Sequence, residues 1–111
     1  MGELLPFPYE GPGELAPVVL KALRRVVDPE VALNIVDVGL VYGVRVRPEE
    51  VEVDVTMTSA ACPVADVILG DIVFELEQAL PEAMAVEPRL VWEPAWTPER
   101  LSPNARRFMG W

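Results

Sequence analysis

Cys62 is the single cysteine of a 111-residue chain that contains no histidine. It stands directly before Pro63, where a valine-alternating stretch gives way to a helical pattern. A thiol at that point lies beside unpaired backbone N–H groups and the positive end of a helix dipole, both of which favour thiolate over thiol. Pro63 gives up the first N–H at no cost and leaves those of Val64 and Ala65 free to approach the sulfur. The small residues Ser59, Ala60 and Ala61 keep the preceding loop open to a visiting group. Against this chemical reading stands the ordinary one, since free cysteine is among the most buried residue types and usually serves packing.

The residue inventory narrows what such a thiol can do. Without histidine the chain lacks the usual general base, the commonest zinc ligand and the standard partner of a nucleophilic cysteine, which excludes protease-like and ordinary zinc-hydrolase chemistry. One cysteine permits no internal disulfide. One thiolate cannot hold an iron–sulfur cluster, which typically takes four cysteine ligands, so a cluster role requires a second subunit, an external thiol or a transient handover. Asp28 and Asp37 can lend oxygen ligands or hydrogen bonds, and Thr56 or Thr58 can orient the sulfur. Turn or capping duty explains each of them taken alone. Asp66 falls in the first turn of a helix, where the dipole stabilises a carboxylate whatever the function. Glu49, Glu50, Glu52 and Asp54 interleave with valines as on a solvated strand face, not as an acid–base pair. Trp92 and Trp96, set among prolines, offer either an aromatic recognition surface or a seal on the end of a small core.

The elements that must position these residues follow from periodicity. Residues 1–13, rich in proline and glycine, read as an extended arm whose Leu5, Phe7 and Tyr9 can pack on the body or on a second subunit. From Glu14 to Val27 the spacing of Leu15, Val18, Val19, Ala22, Leu23, Val26 and Val27 predicts a first helix, closed by Pro29. Leu40–Val46 and Val51–Met57 alternate as two strands, with Leu40, Tyr42, Val44 and Val46 on one face of the first. An even-length turn around Pro48-Glu49 then sets Arg45 opposite Glu52, a modest ion pair on the wet face worth at most about 1 kcal/mol. Pro63–Leu80 predicts a second helix with a core stripe of Val64, Val67, Ile68, Ile72, Leu76, Ala79 and Leu80, stopped by Pro81. Val86–Trp92 reads as a third strand. Thr97-Pro98 and Ser102-Pro103 each place a capping residue before proline, so short helical turns end the chain at Gly110. The order helix, strand, strand, helix, strand predicts an α+β fold, a three-stranded mixed sheet covered on one face by two helices, as one domain over residues 14–111.

A formal charge of −9, with 18 Asp and Glu against 9 Lys and Arg, argues against a nucleic-acid partner. No apolar run approaches the ~20 residues needed to span a bilayer, so neither membrane insertion nor secretion is expected. A reducing, cytoplasmic compartment is the expectation. Twelve prolines and a preference for arginine over lysine suit a heat-adapted protein.

Four motifs in order carry a resemblance: Asp28-Pro29-Glu30; Asn34-Ile35-Val36-Asp37-Val38-Gly39-Leu40-Val41-Tyr42; Thr56-Met57-Thr58 followed by Ala61-Cys62-Pro63; and Trp92-Glu93-Pro94-Ala95-Trp96-Thr97-Pro98. Together the chain resembles the SufT-like and PaaD-like family of iron–sulfur assembly proteins over nearly everything after the arm. The resemblance implies a non-enzymatic factor that matures or delivers iron–sulfur clusters through a reactive Cys62. It implies Asp37 and Thr58 as neighbours of the thiol, with Asp28, Glu30 and Thr56 in support. Apo iron–sulfur client proteins and other assembly factors are the implied partners. The expected cargo is a transient cluster or iron, held by no one chain alone, and a homodimer would bring two thiols together. Ala61 departs from the family's usual glycine before the cysteine. The chain also stops at Trp111 without the cysteine-rich extension of PaaD proteins, which favours the SufT-like branch. A different class stays open, a protein-interaction adaptor in which the candidate docking residues Trp92 and Trp96 and the arm around Phe7 and Tyr9 hold clients and Cys62 only fills space.

Overall fold

The computed structural model describes residues 5–58, 62–80 and 84–110, with backbone alone at 62–64 and 109. The Ser59-Ala60-Ala61 loop, the Cys62 side chain and the Pro81 stop lie outside the described residues. The chain runs β1 (Tyr9–Glu10), a 3-10 turn (Gly13–Leu15), α1 (Ala16–Leu23), β2 (Val27–Asp28), β3 (Leu33–Asn34) and α2 (Ile35–Val38). It continues through β4 (Val41–Val46), β5 (Glu50–Val55), α3 (Cys62–Ala79) and β6 (Ala85–Leu90), then a second 3-10 turn (Pro98–Arg100) and α4 (Pro103–Met109).

The fold is α+β as expected, but its main sheet has four strands, ordered β1-β4-β5-β6. The added strand is part of the N-terminal arm. Tyr9 and Glu10 pair in parallel with Val44 and Arg45, the Val44 N–H donates to the Pro8 carbonyl, and Phe7 is buried in the core. A two-residue edge pairing leaves no alternation to read in sequence. β2 and β3 form a separate antiparallel pair between α1 and α2.

β4 and β5 are antiparallel, and Arg45 faces Glu52 as the even-length turn requires. The face assignment of β4 needs correction at one residue. Val41 faces Val55 while Gly43 faces Asp54, so Tyr42 is the extra residue of a β-bulge. The bulge carries Tyr42 away from the core, leaving Val41, Val44 and Val46 inside with Val51, Val53 and Val55. α3 is the crossover to β6, which lies parallel to β5. Val86 stands beside Val51 on the core face, while Glu87 and Arg89 align with Glu52 and Asp54 on the other.

α1 packs on α3, and α3 packs on β6. α1 is shorter than its apolar pattern. Its buried residues are Val19, Leu20, Ala22 and Leu23, and Val27 belongs to β2 and is exposed. In α3 the core stripe is Ala65, Ile68, Ile72 and Leu76, and Val67, expected inside, is half exposed. Its helical angle lies ~100° from Ile68 and still further from Ile72 and Leu76, so the core cannot reach it.

The solvent face of the sheet carries a charge network rather than one pair. Arg45 Nε donates to Glu52 at 2.8 Å, and its two terminal nitrogens donate to the Asp54 carboxylate at 3.2 and 3.1 Å. Arg47 bridges Glu50 and Glu52, and Arg89 lies 3.7 Å from Asp54. The hydrogen bonds that Arg45 donates to Asp54 and then to Glu52 raise its pKa above the ordinary value. The bond from Arg45 holds the Glu52 carboxyl below the usual carboxylate range.

Candidate functional site

The backbone of Cys62 is the first helical residue of α3. The segment feeding it comes from β5 through Thr56, and a run of backbone hydrogen bonds ties that end of β5 to the elements before it. The Thr56 N–H donates to the Leu40 carbonyl at 2.8 Å, Leu40 to Ile35 at 2.9 Å, and Ile35 to Val26 at 2.9 Å. These bonds link β5, α2 and the β2–β3 pair at the end of the sheet where β5 delivers the chain toward α3. β2 also packs against α3.

Two of the sequence-selected residues carry an unusual feature here. Asp28 and Thr56 are both about 1% exposed, the two buried polar residues among those described. Asp28 Oδ1 accepts the Glu30 N–H at 2.8 Å, a turn bond across Pro29. Its other oxygen, Oδ2, is buried with no hydrogen-bond partner among the described residues, and the same holds for Thr56 Oγ1. A buried oxygen left unpaired costs about 1–3 kcal/mol, so native structures retain few of them. Both occur on segments joined by the hydrogen-bond run.

Asp37 is placed differently. Asn34 caps α2, with Oδ1 accepting the Asp37 N–H at 2.9 Å and Nδ2 donating to Asp37 Oδ2 at 2.9 Å. The carboxylate thus takes part in a reciprocal cap, while the Asp37 carbonyl accepts the Ser102 N–H at 2.8 Å. Thr58 is a half-buried bend residue between Thr56 and α3, and Glu30 lies exposed in the turn between β2 and β3. Among the described residues no group of three His, Cys, Asp or Glu side chains is arranged to hold a metal ion.

The two tryptophans part company. Trp96 Nε1 donates to the Val38 carbonyl at 2.7 Å and packs against the core, closing the end of α2. Trp92 is 48% exposed. Between them the Tyr42 hydroxyl donates to the Pro94 carbonyl at 2.6 Å, and the Arg100 guanidinium sits 4.1 Å from the Tyr42 ring centroid. This clamp was not visible in the motifs. Its one sequence signal is Gly43, because glycine inside a strand often marks a bulge.

The result is a small mixed α+β domain with a thiol-bearing residue at the start of its long helix and two unpaired oxygens on the adjoining segments. The chain belongs to the iron–sulfur cluster assembly protein family, whose model matches residues 17–87. It is similar to the Fe-S protein maturation auxiliary factor SufT of Staphylococcus aureus, 40% identical over 86 residues, covering 77% of this chain and 97% of that one. It is also similar to the Fe-S protein maturation auxiliary factor YitW of Bacillus subtilis, 37% identical over 93 residues, with 83% and 90% covered. Among solved structures, the DUF59 domain of unknown function from Bacillus anthracis superposes with a TM-score of 0.81 at 35% identity, covering 87% of this chain and 92% of that one. The SufT-like assignment read from the four motifs is therefore correct.

Proposed function

We propose that this chain is a non-enzymatic maturation factor that passes iron or an iron–sulfur cluster to apo client proteins, with Cys62 as the residue that handles the cargo. The observation that carries the reading is the pair of buried, unpartnered oxygens, Asp28 Oδ2 and Thr56 Oγ1, on the segments tied to the approach to α3. A hydroxyl and a carboxylate kept unpaired at such a cost suit a ligand that arrives and leaves. The names of the SufT and YitW relatives as Fe-S protein maturation auxiliary factors support the assignment of process. A lone thiolate meets only part of a cluster's ligand demand, so the cargo is shared with a second copy of the chain, a client or another assembly factor. Asp37 serves the fold through its cap, and Thr58 and Glu30 flank the site.

The test is anaerobic loading of the full chain with iron and sulfide, followed by transfer to an apo acceptor read by the acceptor's visible absorption and activity. Wild type transfers, and Cys62→Ser does not. Full acceptor maturation by Cys62→Ser would remove the thiol from the proposal. The exposure of Trp92 favours a second reading, an adaptor that docks clients through this indole while Cys62 only packs. In that case Trp92→Ala abolishes maturation and Cys62→Ser leaves it intact.

A further inference from the structure

α3 has a second face that the core does not use. Val67 and Phe74 are 50% and 58% exposed. Seven positions apart, they align on one side of the helix about 10 Å from each other, opposite the Ile72 and Leu76 stripe that enters the core. Gly70 lies between them, and a Cβ there would meet nothing within 4 Å, so the two apolar side chains border an open saddle.

The charges around this ridge have one sign. Every charged residue of α3 is acidic: Asp66, Asp71, Glu75 and Glu77. By helical angle Asp71 and Glu75 flank one side of the ridge and Asp66 and Glu77 the other. Glu75 has a loose ion pair with Arg25 at 3.9 Å, whereas Asp66, Asp71 and Glu77 have none among the described residues. A second copy packed on this face would set carboxylates against carboxylates, which disfavours self-association here.

We infer that the outer face of α3 docks a cationic amphipathic helix of a partner protein. Apolar side chains of that helix cover Val67 and Phe74 across Gly70, and its flanking lysines or arginines meet the two acidic borders. Helix-on-ridge recognition of this kind takes its affinity from the apolar anchors and its selectivity from the charges. The ridge runs along the middle of α3 and draws on no cargo chemistry, so it stands or falls independently of the proposed transfer role.

The experiment is an amide NMR titration of the full chain with a synthetic helix that has leucines on one face bordered by lysines, alongside a glutamate-bordered version of the same peptide. Saturable shifts centred on Val67, Gly70, Asp71 and Phe74 are expected, weakening as salt rises. Phe74→Ser and Asp71→Lys, both at exposed positions, should each weaken binding at least tenfold with the circular dichroism unchanged, and Cys62→Ser should not alter it. Three outcomes would overturn the inference: shifts scattered over all acidic residues, equal binding of the glutamate-bordered peptide, or a dimer of the chain that Phe74→Ser dissociates.

Discussion

Two oxygens without partners carry the most information at the scale of single residues. Thr56→Val keeps the shape of the side chain and deletes a hydroxyl that contributes no hydrogen bond, so it should stabilise the fold by about 1 kcal/mol in urea unfolding. The same variant should mature acceptors less well than wild type. Opposite movement of stability and function identifies a group retained for its chemistry, whereas a purely structural threonine would lose stability. Glu52 behaves differently because its partner is present. Its pKa is lowered by Arg45, so the stability it contributes is complete above the ordinary value of 4.5 and disappears as pH falls through the lowered folded value. Thermal melts of wild type and Glu52→Gln should therefore differ at neutral pH and converge in acid below that value. A constant gap across the range would show that the carboxylate's charge is not what matters.

At the scale of elements, the C-terminal segment works as a strap over the end of α2. Trp96 bonds the Val38 carbonyl, Ser102 donates its N–H to the Asp37 carbonyl, and Arg100 lies over the bulged Tyr42. Gly39 permits the closure twice over. Its φ of +85° ends α2 in the left-handed region, and a Cβ there would collide with the Arg100 backbone. Gly39→Ala should cost more than ~1 kcal/mol. Gly70→Ala should gain about 0.5–1 kcal/mol, because its site is helical and open. Paired chemical denaturation curves check both signs. The strap begins in the Trp92–Pro98 motif, which accounts structurally for Trp96 and leaves Trp92 exposed.

At the scale of the whole molecule, the arm before α1 is a working part of the body. Phe7 is 6% exposed and Tyr9–Glu10 complete the edge of the sheet beside β4. Phe7→Ala should lower stability by about 3–5 kcal/mol, a core-sized loss, measured by the shift of the denaturation midpoint. A loss below about 1 kcal/mol would mean that the arm packs only loosely. The remaining large exposed apolar side chains include Val67 and Phe74 on α3 and Phe108 on α4. The first two share an acidic helix face, while Phe108 adjoins Arg106 and Arg107, so the molecule presents ridges of different charge to its surroundings.

The sequence by itself determined the α+β class, the long central helix and the register that sets Arg45 against Glu52. Strict alternation, proline stops and turn parity are local signals that survive without coordinates. It also determined the family, through four motifs whose order and spacing are legible in one dimension. Only the tertiary structure decided the rest, and in each case the cause is a long-range contact. The β1 pairing joins residues far apart in the chain, and the bulge at Tyr42 depends on what β5 places opposite. Val67 faces water because its side of α3 is turned from the core, and Val27 because the helix ends at Leu23 and the chain enters β2. The unpaired state of Asp28 Oδ2 and Thr56 Oγ1 could not be read from residue type, since an oxygen is known to lack a partner only when its surroundings are known.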